Sequence, residues 1–194
     1  MSKRVRYGVK NLIAFFATED DLGTLTYDTT PNKVPGTKSI TMDPQGDSTT
    51  ESADDVDWYV DDANNGYTFS FEVEDTAEGD DFLHKAVGFT KDETTGMVIE
   101  TKDDVKKPFA LLGEFGLGGD KTVNGKRFCL YNCKISRYSL TGATNENGKK
   151  TIATYTVSGT ALPRTNDGVI KTTAVSSDSC YKNWFAKVPE KGSK

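Results

Sequence analysis

Histidine is nearly absent from this 194-residue chain: His84 is the only one. A Ser/His/Asp triad would have to rest on it, and it lies in an acidic stretch with no G-x-S-x-G nearby. Cysteine is scarce as well. Three residues, Cys129, Cys133 and Cys180, are an odd number, which argues against a disulfide framework. Cys129 and Cys133 sit four apart in an apparent strand, a span of ~13 Å, whereas bridged Cα atoms lie within ~7 Å. The three therefore read as buried free thiols acting as small apolar residues. A zinc site on one histidine would need carboxylate help.

Long hydrophobic runs are missing too. Leu12 to Ala17 is far short of the ~18 residues of a membrane span. Basic Lys3, Arg4 and Arg6 precede that run, but acidic Glu19, Asp20 and Asp21 follow it, and no signal peptide is expected. Gly113 to Gly119 is glycine-rich yet lacks the lysine and following helix of a phosphate-binding loop. Hydrophobic content is 35% and mean hydropathy −0.56, which leaves room for one core and many polar strand faces.

Charge is plentiful and uneven around a net of −5. Acids dominate from Asp43 to Asp81, and bases dominate from Lys121 onward. An acidic chain lacks the cationic footprint that duplex DNA binding requires. Two faces of opposite sign suit either solvated surfaces or head-to-tail contacts between copies. Clustered Asp54, Asp55, Asp57, Asp61 and Asp62 offer oxygens for Ca²⁺, but their spacing matches no EF-hand loop. Carboxylate pairs at glycosidase-like separation are expected by chance among so many acids. No catalytic residues, metal or cofactor are assigned, and the chain is read as a non-enzyme.

Asn-Gly pairs punctuate the sequence at Asn65-Gly66, Asn124-Gly125 and Asn147-Gly148. Each is expected as a type I′ hairpin turn, since both residues accept positive φ. The flanking runs alternate with period two. Phe69, Phe71 and Val73 share one face; Cys129, Tyr131, Cys133 and Ile135 another; Ala153, Tyr155 and Val157 a third. Phe109 to Thr160 reads as a three-stranded antiparallel meander. Two short helices are expected. The first, about 80–88, buries Phe82, Leu83, Ala86 and Val87, with Asp80 and Asp81 at its start and His84 exposed. The second, about 178–188, carries a stripe of Cys180, Trp184, Phe185 and Val188, capped by Ser177 or Asp178 and ended by Pro189. Thr41 to Asn65 reads as a long acidic loop, and Trp58 and Tyr59 beside its acids suit an interface. The whole chain, 1–194, is expected to be one mainly-β domain, an antiparallel sandwich or barrel-like fold.

The order of short motifs resembles the phage major tail protein family of siphophages of Gram-positive hosts. The resemblance runs from Tyr7-Gly8-Val9-Lys10-Asn11-Leu12 through Ser39-Ile40-Thr41-Met42-Asp43-Pro44-Gln45-Gly46 and Ala53-Asp54-Asp55-Val56 with Trp58-Tyr59. It continues at Lys107-Pro108-Phe109, Leu130-Tyr131-Asn132-Cys133 and Asp167-Gly168-Val169, and ends at Trp184-Phe185. It implies a tail tube fold: a β-sandwich with a flanking helix, a long loop and a terminal arm. Its implied role is structural, with hexameric rings stacked into a hollow tube that conducts DNA during ejection. Implied partners are further copies, the tape measure, tail terminator and distal tail proteins; DNA passes without specific binding and no membrane is involved. The implied location is the virion tail, after synthesis in the host cytoplasm. An acidic lumen would repel DNA and let it slide. The matching interface candidates are Tyr7, Lys10, Asn11, Asp43, Gln45, Asp54, Asp55, Asp57, Trp58, Tyr59, Trp184 and Phe185. The rival reading is a carbohydrate- or cell-surface-binding sandwich that stacks sugars on Trp58, Tyr59 and Tyr67.

Overall fold

The computed structural model describes residues 5–53, 56–119, 123–140 and 152–191, with the backbone alone between 52 and 61. The Asn147-Gly148 turn therefore lies outside the described residues, as do Asp54 and Asp55. Among the described residues no helix is long and apolar enough to cross a membrane.

The chain opens with β1 (Val5–Glu19), followed by short β2 (Leu25–Tyr27) and β3 (Asn32–Lys33). Next come β4 (Thr37–Gln45), β5 (Ser48–Ala53), β6 (Val56–Asp62) and β7 (Gly66–Glu74). Helix α1 (Ala77–Val87) and the small hairpin β8 (Thr90–Lys91) and β9 (Val98–Ile99) follow. The last strands are β10 (Phe109–Gly118), β11 (Gly125–Ile135), β12 (Thr154–Ala161) and β13 (Lys171–Val175). The main sheet runs β2-β1-β10-β11-β12-β7-β4, with β13 on β11 and β3 on β1, and every pairing is antiparallel. The expected mainly-β, sandwich-like class holds. The sheet does not close into a barrel: Arg6–Val9 of β1 and Lys38–Ile40 of β4 flank a cleft of about 240 Å³.

The sheet is covered on both faces, which explains why its central strands are apolar without alternation. In β1, Leu12, Ala14 and Phe16 enter one core and Phe15 the other. Strand β10 divides likewise, with Phe109 and Leu111 on one side and Ala110 and Leu112 on the other. The first core is closed by α1 through Phe82, Leu83, Ala86 and Val87. Thr76 caps that helix, its Oγ1 accepting from Gly79 N at 3.1 Å, so the helix begins a turn earlier than the acids at 80 and 81 suggest. Gly88, at φ 97, ends it. His84 is half-buried beside Phe89.

The second core is closed by the C-terminal segment through Trp184 and Val188. The helix expected over 178–188 is one 3₁₀ turn, Ser179–Tyr181, followed by turns. Trp184 Nε1 donates to the Phe128 carbonyl at 3.3 Å, which anchors the segment without helical periodicity. Cys180 is exposed, contrary to the reading of three buried thiols, because this turn directs it away from the sheet; Cys129 and Cys133 are buried as expected.

Strand β11 breaks its own period. Asn132 has φ 46, and the β10 register shifts between Phe109 and Leu111 opposite it. Cys129 and Tyr131 therefore face the second core, whereas Cys133 and Ile135 face the first; the four do not share one face. Partners change at the same point. Residues 126–130 pair with β13, and 133–135 pair with β12.

The two Asn-Gly pairs among the described residues do not act as two-residue turns. Asn65-Gly66 joins β6 to β7, which run on in the same direction and are not paired; it is β5 and β6 that pair antiparallel. Asn124-Gly125 opens β11, opposite Gly116, after a longer connection from β10. The expected loop from Thr41 to Asn65 is thus mostly strand. β4 pairs with β7, Asn65 N donates to Gln45 O and Ala63 N to Asp47 O, and β5 then pairs with β6. The result is one long ribbon whose outer part, β5–β6, is a two-stranded sheet of its own. Gly46 marks the joint: a Cβ there would meet the Ala63 carbonyl oxygen at 1.7 Å. Because Gln45 directs its carbonyl at β7's side, alternation turns Pro44 outward, where a missing N–H costs the ladder nothing.

Candidate subunit interface

The N-terminal half of β1 is built to be exposed. Val5 to Lys10 pairs with Glu114 to Gly118 of β10, and the register slips twice, around Gly8 (φ 56) and Asn11 (φ 54). Tyr7 is 61% exposed and lies over Gly116, where a Cβ would stand 2.7 Å from its ring. Arg6 stacks over Phe115 at 4.9 Å.

A buried carboxylate fixes this half-strand. Glu114 is 5% exposed in an otherwise apolar strand. Its cross-strand partner Arg127 donates from Nε to Oε2 at 2.7 Å, and Lys10 Nζ lies 3.0 Å from Oε1. Burial alone pushes the Glu114 carboxyl up, but the hydrogen bonds and charges of Arg127 and Lys10 outweigh it and hold it below its ordinary value. The same hydrogen bond to Glu114 raises the Lys10 amine. Arg127 also donates to the Tyr181 carbonyl and sits over the rings of Tyr181 at 3.8 Å and Phe185 at 4.5 Å. The cluster joins the first strand to the last segment across the middle of the fold.

Beside it lies a groove of about 740 Å³ between β1 and the β3–β4 connection. Val9, Ile13, Pro31, Pro35 and Phe185 contribute apolar lining, and the two charged residues in the lining are Lys10 and Lys33. Three predicted interface residues, Lys10, Asn11 and Phe185, thus meet at one surface feature. Tyr7, Asp43, Gln45 and Trp184 are not in its lining. Trp184 is 4% exposed and belongs to the second core. Asp43 and Gln45 are exposed at the far end of β4, where Gln45 Nε2 donates to Thr68 Oγ1 at 3.1 Å. Asp57, Trp58 and Tyr59 are on β6, in the outer ribbon. Tyr67 is on β7, eight residues beyond Tyr59 along a nearly continuous extended path of ~26 Å. Its hydroxyl accepts from Lys171 Nζ at 2.7 Å, so Tyr67 serves the body of the fold.

Sequence reasoning missed Glu114, Arg127 and Tyr181. A visible signal existed: one glutamate within the apolar run from Phe109 to Leu117, a pattern that demands a cationic partner. Which cation supplied it depended on strand register. Among the described residues no group of three or more His, Cys, Asp or Glu side chains is placed to hold a metal ion.

No family model matches the sequence, and no curated protein matches it. Two of the solved structures that resemble this chain do so at low identity. One is from the anti-feeding prophage baseplate, with TM-score 0.46, 6% identity, and 84% of this chain and 91% of that chain covered. The other is from the PVC sheath-tube complex of an extracellular contractile injection system, with TM-score 0.45, 13% identity, and 84% and 89% covered.

Proposed function

We propose that this chain is a structural subunit of a phage tail, specifically a tail tube protein of a long-tailed phage. Copies assemble as rings, hexameric as the sequence resemblance implies, and the rings stack into a hollow conduit for DNA. The observation that carries the reading is the ribbon. β5–β6 leaves the main sheet at Gly46 and forms its own two-stranded sheet, which on its own would be marginal in water. An arm of this kind gains stability by docking on another surface.

Open edges support the same reading. Beyond Ile40 no described strand pairs with the outer side of β4, and β1 has no described strand partner on its outer side from Val5 to Asn11. Such edges invite pairing between copies. The tape measure, terminator and distal tail proteins are the further partners of a subunit in this role, and the virion tail is its place. A sugar-stacking platform is less well supported, because Tyr67 is separated from Trp58 and Tyr59 along the ribbon.

Negative-stain electron microscopy and sedimentation velocity over a concentration series test the proposal. Rings or hollow tubes are expected. A chain that stays monomeric at the highest soluble concentration and binds glycans would overturn it in favour of the carbohydrate-binding reading.

A further inference from the structure

The ribbon and the groove lie at opposite ends of one strand. Gly36 and Thr37, at the start of β4, line the groove; the outer ribbon begins at Ser48, after β4 has ended at Gln45. Nine residues of β4 span ~30 Å, and the six of β5 add ~20 Å. The register of β4 on β7 is continuous from Ser39 to Gln45, so the arm cannot fold back onto its own groove. The arm of one copy can therefore reach this groove only on another copy.

The chemistry of the two surfaces is complementary. From Ser48 to Asp62 the arm carries Glu51, Asp54, Asp55, Asp57, Asp61 and Asp62, with no lysine or arginine. It also carries Val56, Trp58, Tyr59 and Val60. The groove is largely apolar, and its lining contains two lysines and no carboxylate. Lys10 is engaged by Glu114, but Lys33 is exposed and makes no ion pair among the described residues.

We propose that the groove beside Lys33 receives the β5–β6 arm of a second copy. This rests on the self-assembly proposed above and names the surface that receives the arm. The contact is heterologous, since the arm and the groove are different surfaces at opposite ends of β4. Repetition of such a contact gives a ring or an open stack instead of a closed dimer. Opposed charges set the register and speed encounter, and apolar burial holds the seated arm.

The test is crosslinking between two variants. In a Cys180→Ser background, which removes the exposed thiol, one preparation carries Lys33→Cys and the other Asp57→Cys. The two are mixed in equal amounts, allowed to assemble, treated with a short bismaleimide and resolved on a denaturing gel. Mixed dimers are expected, with none from either variant alone. Micrographs of the same sample separate the two levels of failure. Tubes without mixed dimers overturn the groove and leave the tube reading standing. Absence of assembly by the unsubstituted chain overturns both. Lys33→Glu in the complete chain gives an independent check: assembly should shift to higher concentration, and an unchanged assembly concentration counts against the proposal.

Discussion

Cys129 and Cys133, four residues apart on β11, lie on opposite faces of the sheet: Cys129 in the core closed by Trp184, Cys133 in the core closed by helix α1. The left-handed Asn132 between them produces the exchange. Both thiols are fully buried, and burial pushes both well above the ordinary thiol range. A thiol-reactive chromophore should therefore titrate one group in the native protein, Cys180, and three in denaturant. Two or more fast native thiols would contradict this placement.

Asn132 carries the bulge, and its conformation makes a second prediction. Its φ of 46 suits Asn or Gly, whereas a β-branched side chain is strained there. Asn132→Gly should leave stability nearly unchanged. Asn132→Val should cost at least ~1–2 kcal/mol, read as a lower midpoint in urea with unchanged slope.

The Glu114 cluster links stability to pH. Its carboxyl lies below the ordinary value of 4.5 in the fold, so its ion pairs stabilise the native state above that pH. The contribution is lost as pH falls through the depressed folded value. For Lys10 the sign reverses: its raised amine contributes below 10.5 and the contribution is lost as pH rises through the folded value. Glu114→Gln leaves Arg127 without its countercharge and should cost roughly 2–3 kcal/mol, less than a fully buried pair because one partner is exposed. Thermal unfolding measured across the acid range should also show a flatter pH dependence in the variant. An identical acid limb would remove Glu114 as its source.

Gly46 ties the arm to the body of the fold. A methyl group there would meet the backbone carbonyl of Ala63 at the joint between body and arm, outside both cores. Because the atom it meets is backbone, the joint must shift, so Gly46→Ala should lower stability by about 1 kcal/mol or more, read as a lower urea midpoint, and should also reduce tube formation in micrographs. An unchanged midpoint with unchanged tubes would contradict the close approach at this joint.

Much of the architecture was legible before any coordinates. The apolar run of β10, the alternation in β7 and β12, and the amphipathic stretch of α1 each follow from local pattern, because burial on one or two faces is imposed residue by residue. Asn65-Gly66 misled because a positive φ, here 125° at Gly66, serves a strand start as readily as a turn. Asn65-Gly66 was free to continue the ribbon once β7 had β4 and β12 on its two sides.

Sequence by itself determined that this is one mainly-β chain with an acidic segment, few reactive groups and no apolar span. Tertiary structure alone decided three things: that the acidic segment is a paired ribbon instead of a loop, that β11 changes partners at Asn132, and that Glu114 finds Lys10 and Arg127. Each depends on register between strands distant in sequence. A one-residue slip exchanges the faces of a strand while leaving its composition untouched. Lys10 and Phe185, 175 positions apart in the sequence (185 − 10), line one groove because the strand and the segment that carry them cover neighbouring parts of the same sheet.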